Sequence, residues 1–142
     1  MSKGDTFEND LLKLIFNATA IANIADNAAT SPLTNLYMAL HTADPGEAGS
    51  QTTSEAAYGA YARVAVARTS AGWTVTTNSV SPVANIDFPA ATSGSETETY
   101  ASVGTLVSTA GKILYSGAIS PTIAVSNGVT PRLTTASTVT ED

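Results

Sequence analysis

His41 is the only histidine of the chain, and Asp44 follows three residues later. An imidazole titrates near neutrality, so the pair has the ingredients of acid–base chemistry. A triad needs a nucleophile and an orienting acid at hydrogen-bond distance, and no nucleophile motif accompanies His41. Its place at the end of an alternating apolar run predicts a surface histidine at a strand end. Asp44-Pro45-Gly46-Glu47 offers two carboxylates to a cation, where calcium takes six to eight oxygens. Proline followed by glycine is what a β-turn demands, and a turn is the reading adopted. Glu96 and Glu98 share one strand face, being two apart. Paired carboxylates serve glycoside hydrolysis only when they flank a sugar cleft. The expected role here is a solvated face that discourages edge pairing.

The remaining candidates are weaker. Tyr58 and Tyr61 flank Gly59 and have the composition of a carbohydrate platform. The expectation is that they cap the open end of a sandwich, with rings buried and hydroxyls exposed. Trp73, the only tryptophan, pairs with Val75 in an alternating run and predicts core. Gly-rich phosphate loops are absent. Asn17-Ala18-Thr19 fits a glycosylation pattern but falls in a predicted helix with no secretion signal before it.

These residues need elements to hold them. Phe7, Leu11, Leu14, Ile15 and Ala18 follow a helical period, widened by Leu12 and Phe16. Asp5 and Glu8 form a capping-box pattern at its start. The Ala/Asn-rich stretch from Asn17 to Asn27 is expected to continue the helix loosely. Ser31-Pro32 ends it, because a residue before proline is pushed out of the α region. Beyond Pro32 the period changes to two. Leu36, Met38 and Leu40 alternate with polar or small neighbours, as do Val64 and Val66, Trp73 and Val75, and Ala84, Ile86 and Phe88. Further strands are predicted near Glu96–Val107, Lys112–Gly117, Thr122–Ser126 and Thr130–Val139. Turn signals separate them, and Asn127-Gly128 is a strong hairpin signal. Val64, Val66, Trp73, Val75, Ile86 and Phe88 are the expected core.

Composition narrows the function classes. Ala, Thr and Ser make up about two-fifths of the 142 residues, above ordinary usage. There are no cysteines, which excludes disulfides and thiolate metal sites. A formal charge of −6 with only six scattered basic residues argues against a nucleic-acid grip. No apolar run reaches the ~20 residues of a membrane span. The plain reading is a soluble acidic protein made in the cytoplasm.

Five stretches resemble a family of small tailed-bacteriophage virion proteins, variously described as tail-fibre-like or capsid-decorating. They are LYMALHTADPGEAG from Leu36, YGAYARVAVAR from Tyr58, GWTV from Gly72, IDFPAATSGSETETY from Ile86 and KILYSGAISPTIAVSNGVTP from Lys112. The resemblance implies no catalytic residues. The resulting expectation is an all-β chain, an antiparallel β-sandwich of jelly-roll type with an N-terminal α-helix. Residues 1–32 are the helical segment and residues 33–142 the sandwich. The expected function is that of a capsid cement (decoration) protein on the exterior of the shell. It would act without catalysis, cofactor or metal. Its partners would be the major capsid protein and a second or third copy of itself, with no direct nucleic acid and no membrane. A tail- or fibre-associated adaptor and a carbohydrate-binding module are the alternatives. The partner-binding candidates are Phe7, Leu11, Leu12, Leu14, Ile15 and Phe16.

Overall fold

The computed structural model describes residues 5–21, 25 and 32–141. It contains one helix, α1 (Asp5–Asn17), and nine strands. These are β1 (Asn35–His41), β2 (Val64–Ala67), β3 (Trp73–Thr76), β4 (Ser79–Pro82), β5 (Ile86–Asp87), β6 (Ser95–Gly104), β7 (Ile113–Ser126), β8 (Arg132–Leu133) and β9 (Val139–Thr140). They form a four-stranded sheet in the order β2-β1-β6-β7, a three-stranded sheet β3-β4-β9 and a two-stranded ribbon β5-β8. The resolved pairings β1–β6, β3–β4, β4–β9 and β6–β7 are all antiparallel. The mostly β, antiparallel expectation with its N-terminal helix holds. The strand orders do not spell out a jelly roll.

The chain divides into two compact units, each built from separate stretches. The first takes Met1–Asn35, Val66–Ile86 and Leu133–Asp142. In it α1 packs on β3 and β4. Leu12 and Phe16, four apart on one helix face, are fully buried. The Phe16 ring meets Trp73 edge-on with centroids 4.8 Å apart. Val80 on β4 adds to this apolar interior.

Arg68 caps α1 at its C-terminus. Its Nε donates to the carbonyl of Ile15 at 2.6 Å, and its Nη2 to that of Leu14 at 2.5 Å. The last carbonyls of a helix have no intrahelical donor, and a cation there complements the helix dipole. The helix carries no basic residue in its own last turn, so a distant arginine fills the role. The looser continuation expected toward Asn27 does not follow. The helix stops at Asn17 because Ala18 takes a φ of 54°, a left-handed geometry. The residues on which the rest of that expectation fell, including Ser31, lie outside the described set. So does the Asp5 side chain of the capping box.

The second unit takes Leu36–Ala65 and Asp87–Arg132. Its strands β1 and β6 pair from Tyr37↔Gly104 to His41↔Tyr100. The ladder of β6 with β7 is interrupted. Glu98 faces Ile123 and Tyr100 faces Ala118, so Thr99 alone stands opposite residues 119–122. The two strands expected on either side of Ser120 are therefore one strand with a four-residue bulge. Asp44 Oδ1 accepts the Gly46 N–H at 2.8 Å, and Gly46 has a φ of 69°, as the turn reading requires. The Asn127-Gly128 turn forms, with the Val129 N–H on the Ser126 carbonyl at 2.9 Å. It does not make the expected hairpin, because β8 pairs with β5.

The predicted core is partly right. Trp73, Ile86 and Phe88 are buried. Val64, Val66 and Val75 are only half-buried, so alternation there marks a face that is incompletely covered.

Candidate functional site

The second unit holds a covered polar face and an open strand edge. The polar face lies on β1 and β6, under the segment Thr42–Ala62. That segment is folded on itself by the Thr42 N–H on the Ser54 carbonyl and tied to β1 by the Ala56 N–H on the Leu40 carbonyl, each at 2.9 Å. His41 sits beneath it and is completely buried, contrary to the surface position expected. Its Nδ1 is 2.8 Å from the Thr53 carbonyl, so Nδ1 carries the proton. Its Nε2 then accepts the Ser102 hydroxyl at 2.8 Å. Burial, and to a lesser degree the charge of Arg63, lower its pKa against the Thr53 bond and Glu55.

Gln51 is also completely buried. Its Nε2 donates to the Tyr37 carbonyl at 3.4 Å, and its Oε1 accepts the Leu106 N–H at 3.0 Å. Gly104 and Gly111 make room for this amide, since a Cβ at either would run into it. Arg63 closes the network. Its Nε and Nη2 grip Glu55 at 2.6 and 2.8 Å, and Nη1 and Nη2 donate to the Leu106 and Thr109 carbonyls. A planar fork on one carboxylate is the stronger form of ion pair. The Tyr61 hydroxyl donates to Glu55 at 3.0 Å and accepts the Leu40 N–H at 3.1 Å. Burial pushes the Tyr61 phenol well above its ordinary value.

Tyr58 and Tyr61 therefore do not expose their hydroxyls. Tyr58 is buried and donates to the Pro89 carbonyl at 3.0 Å, and burial followed by the charges of Glu98 and Glu96 pushes its phenol up to about 12. The two rings stand edge to face at 5.3 Å. They are pillars of the covering segment. Glu96 and Glu98 share a face as expected, but the face is not solvated. Glu98 is completely buried, and Glu96 accepts backbone N–H groups of that segment.

The open edge is β7. Its outward side has no ladder partner among the described residues. Ser116, Gly117, Ala118, Ser120, Pro121, Thr122, Ala124 and Ser126 are exposed, which leaves both faces largely bare. No charged residue occurs between Lys112 and Arg132.

The partner-binding candidates on α1 divide. Leu12 and Phe16 are buried in their own unit, Leu11, Leu14 and Ile15 are half-buried, and Phe7 is 40% exposed. Gln51, Glu55 and Arg63, which organise the polar face, were not legible as functional. Nothing in their spacing signals a shared site. Among the described residues no cluster of three or more His, Asp or Glu side chains could hold a metal ion. No described helix is long and apolar enough to cross a membrane.

The family model described as podophage GP4 fiber I protein gp80 matches residues 2–141. The chain belongs to this family of fibre-like bacteriophage virion structural proteins. No curated protein matches it.

Proposed function

We propose that this chain is a tail- or fibre-associated structural protein that works by protein–protein contact, with copies of it meeting along the edge of β7. The family description carries the first part, because it is nearer to the fibre alternative than to capsid cement. The bare edge carries the second. An unpaired strand is a template for another strand, and natural edges are usually blunted by charge. Here the edge is uncharged while the whole chain bears −6. Two like-charged copies repel least where neither presents a carboxylate. Small residues at Ser116, Gly117 and Ala118 allow close backbone approach, while the bulge at residues 119–122 confines pairing to the first half of the strand.

The role proposed is non-catalytic. His41 and Ser102 stand as a base beside a hydroxyl, but both are buried and both imidazole nitrogens are engaged. A substrate has no route to that hydroxyl while Thr42–Ala62 is in place.

Light scattering of the full chain tests the contact. The chain should run as an oligomer, and Ser116→Lys with Ala118→Lys should reduce it to a monomer without changing its circular dichroism. An unchanged mass, or a monomeric parent, refutes the β7 contact. Copy number in purified virions tests the location: a few tens per particle fit fibres, and hundreds would return the reading to capsid cement.

A further inference from the structure

Glu96 and Glu98 form an unusual pair on the covered face of β6. Glu96 Oε1 accepts the Ala57 and Tyr58 N–H groups, each at 2.8 Å. These two charge-assisted bonds hold the covering segment to the strand. Glu98, two residues on, is completely buried, and no donor reaches either of its oxygens. An ionised carboxylate left so would be costly, and such a group ordinarily neutralises instead.

The surroundings leave few ways to neutralise it. Across the ladder stand Ile123 and Val125, which do not titrate. From the covering segment comes Tyr58, whose hydroxyl is engaged with Pro89. The charge acting on Glu98 is that of Glu96, with no cationic side chain opposing it among the described residues. The buried carboxyl is relieved of its charge by a bound proton or by a metal ion. A calcium ion takes six to eight oxygens, and among the described residues this pair has no third acidic or histidine side chain with which to build a shell. The proton is the occupant that fits.

We propose that Glu96 and Glu98 are a proton-locked latch: Glu98 stays a neutral acid that donates to Glu96, Glu96 holds the Ala57–Tyr58 backbone, and loss of that proton to solvent frees the segment. Burial first, then the bond to Glu96 and its charge, push the Glu98 carboxyl up to about 8. The folded chain thus keeps a proton that the unfolded chain surrenders above the ordinary value of 4.5. The stability from this group is full below that value, declines as pH rises, and is gone above about 8. The latch is independent of the fibre assignment and of the β7 contact.

The test uses the full chain, unmodified and as Glu98→Gln, which mimics the neutral acid. Melting temperature is followed from pH 5 to 9, with arms in EDTA and in millimolar calcium. Hydrogen exchange of the Ala57 and Tyr58 amides is read as protection factors, which remove the intrinsic pH dependence. The unmodified chain should lose melting temperature toward pH 9 and lose at least tenfold in protection at those two amides. Glu98→Gln should lose neither. Equal pH dependence in both proteins overturns the latch. Calcium that raises the melting temperature of the unmodified chain at pH 8, but not that of Glu98→Gln, also overturns it in favour of a cation site. The Glu98 carboxyl can be titrated directly by carbon-detected NMR in the unmodified chain, so a variant that fails to fold does not end the test. A midpoint near 4.5 refutes the proposal.

Discussion

The two compact units solve the problem of an interior in opposite ways. In the first, Leu12 and Phe16 of α1 meet Trp73 and Val80, and one arginine reaches the helix end from outside the helix. In the second, the face of β1 and β6 carries His41, Glu98 and Ser102, and the covering segment brings Gln51 and Glu55 to it, with Arg63 beside them. Apolar packing is non-directional and tolerates substitution of similar volume. A buried polar network works only when each member finds its partner, and a broken one leaves orphaned groups. The difference teaches where this chain is brittle. The segment Thr42–Ala62 is irregular, yet its hydrogen bonds define a single position for it. The apolar unit gains stability from burial and has more freedom in how it is filled.

Substitutions can break or sharpen that contrast. Arg63→Met should have the largest effect, because it strips Glu55 of its fork and the Leu106 and Thr109 carbonyls of their donor. Removing one partner of a buried pair costs about 3–5 kcal/mol, to be read from urea denaturation. A loss below about 1 kcal/mol, the value of an exposed pair, would mean that the network is not the brittle part.

Gln51→Leu comes next. The shape is nearly kept, but the Leu106 N–H and the Tyr37 carbonyl lose their partner. Each buried orphan costs about 1–3 kcal/mol. Phe16→Leu, a comparable change in the apolar unit, should cost less than Gln51→Leu if the comparison is sound; the reverse order would dissolve it.

Arg68→Met removes the donor from the carbonyls that end α1. Helix-end cations contribute about 0.3–1 kcal/mol, so the loss should be small and should show mainly as faster hydrogen exchange in the last turn of α1.

The smallest effect is the acid limb of the pH profile. His41 is held neutral below its ordinary value of 6.5, chiefly by burial. The unfolded chain takes up a proton first as pH falls, so the stability from His41 is full above 6.5 and is lost below it. The Glu98 carboxyl adds stability over the same fall in pH, so the His41 loss is read as a difference: from pH 7 to 5.5 the unmodified chain should lose melting temperature relative to His41→Gln. A constant difference between the two proteins would mean that His41 is not desolvated.

Local chemistry made much of the molecule legible. The period at Leu11, Leu12 and Ile15 located α1, the Asp-Pro-Gly sequence located its turn, and alternation identified Trp73, Ile86 and Phe88 as interior. Each of these signals lies within a few residues of chain, where side-chain period and backbone preference act directly. Alternation also put Glu96 and Glu98 on one face. It could not say which face would be covered, because the cover is an irregular segment some forty residues earlier with no period of its own. Only the tertiary structure decided that His41 and Glu98 are buried, that Arg63 reaches Thr109 and that Arg68 caps a helix more than fifty residues away. Those are pairings between distant stretches, and a group's charge state follows from what surrounds it in space and not from its neighbours in sequence.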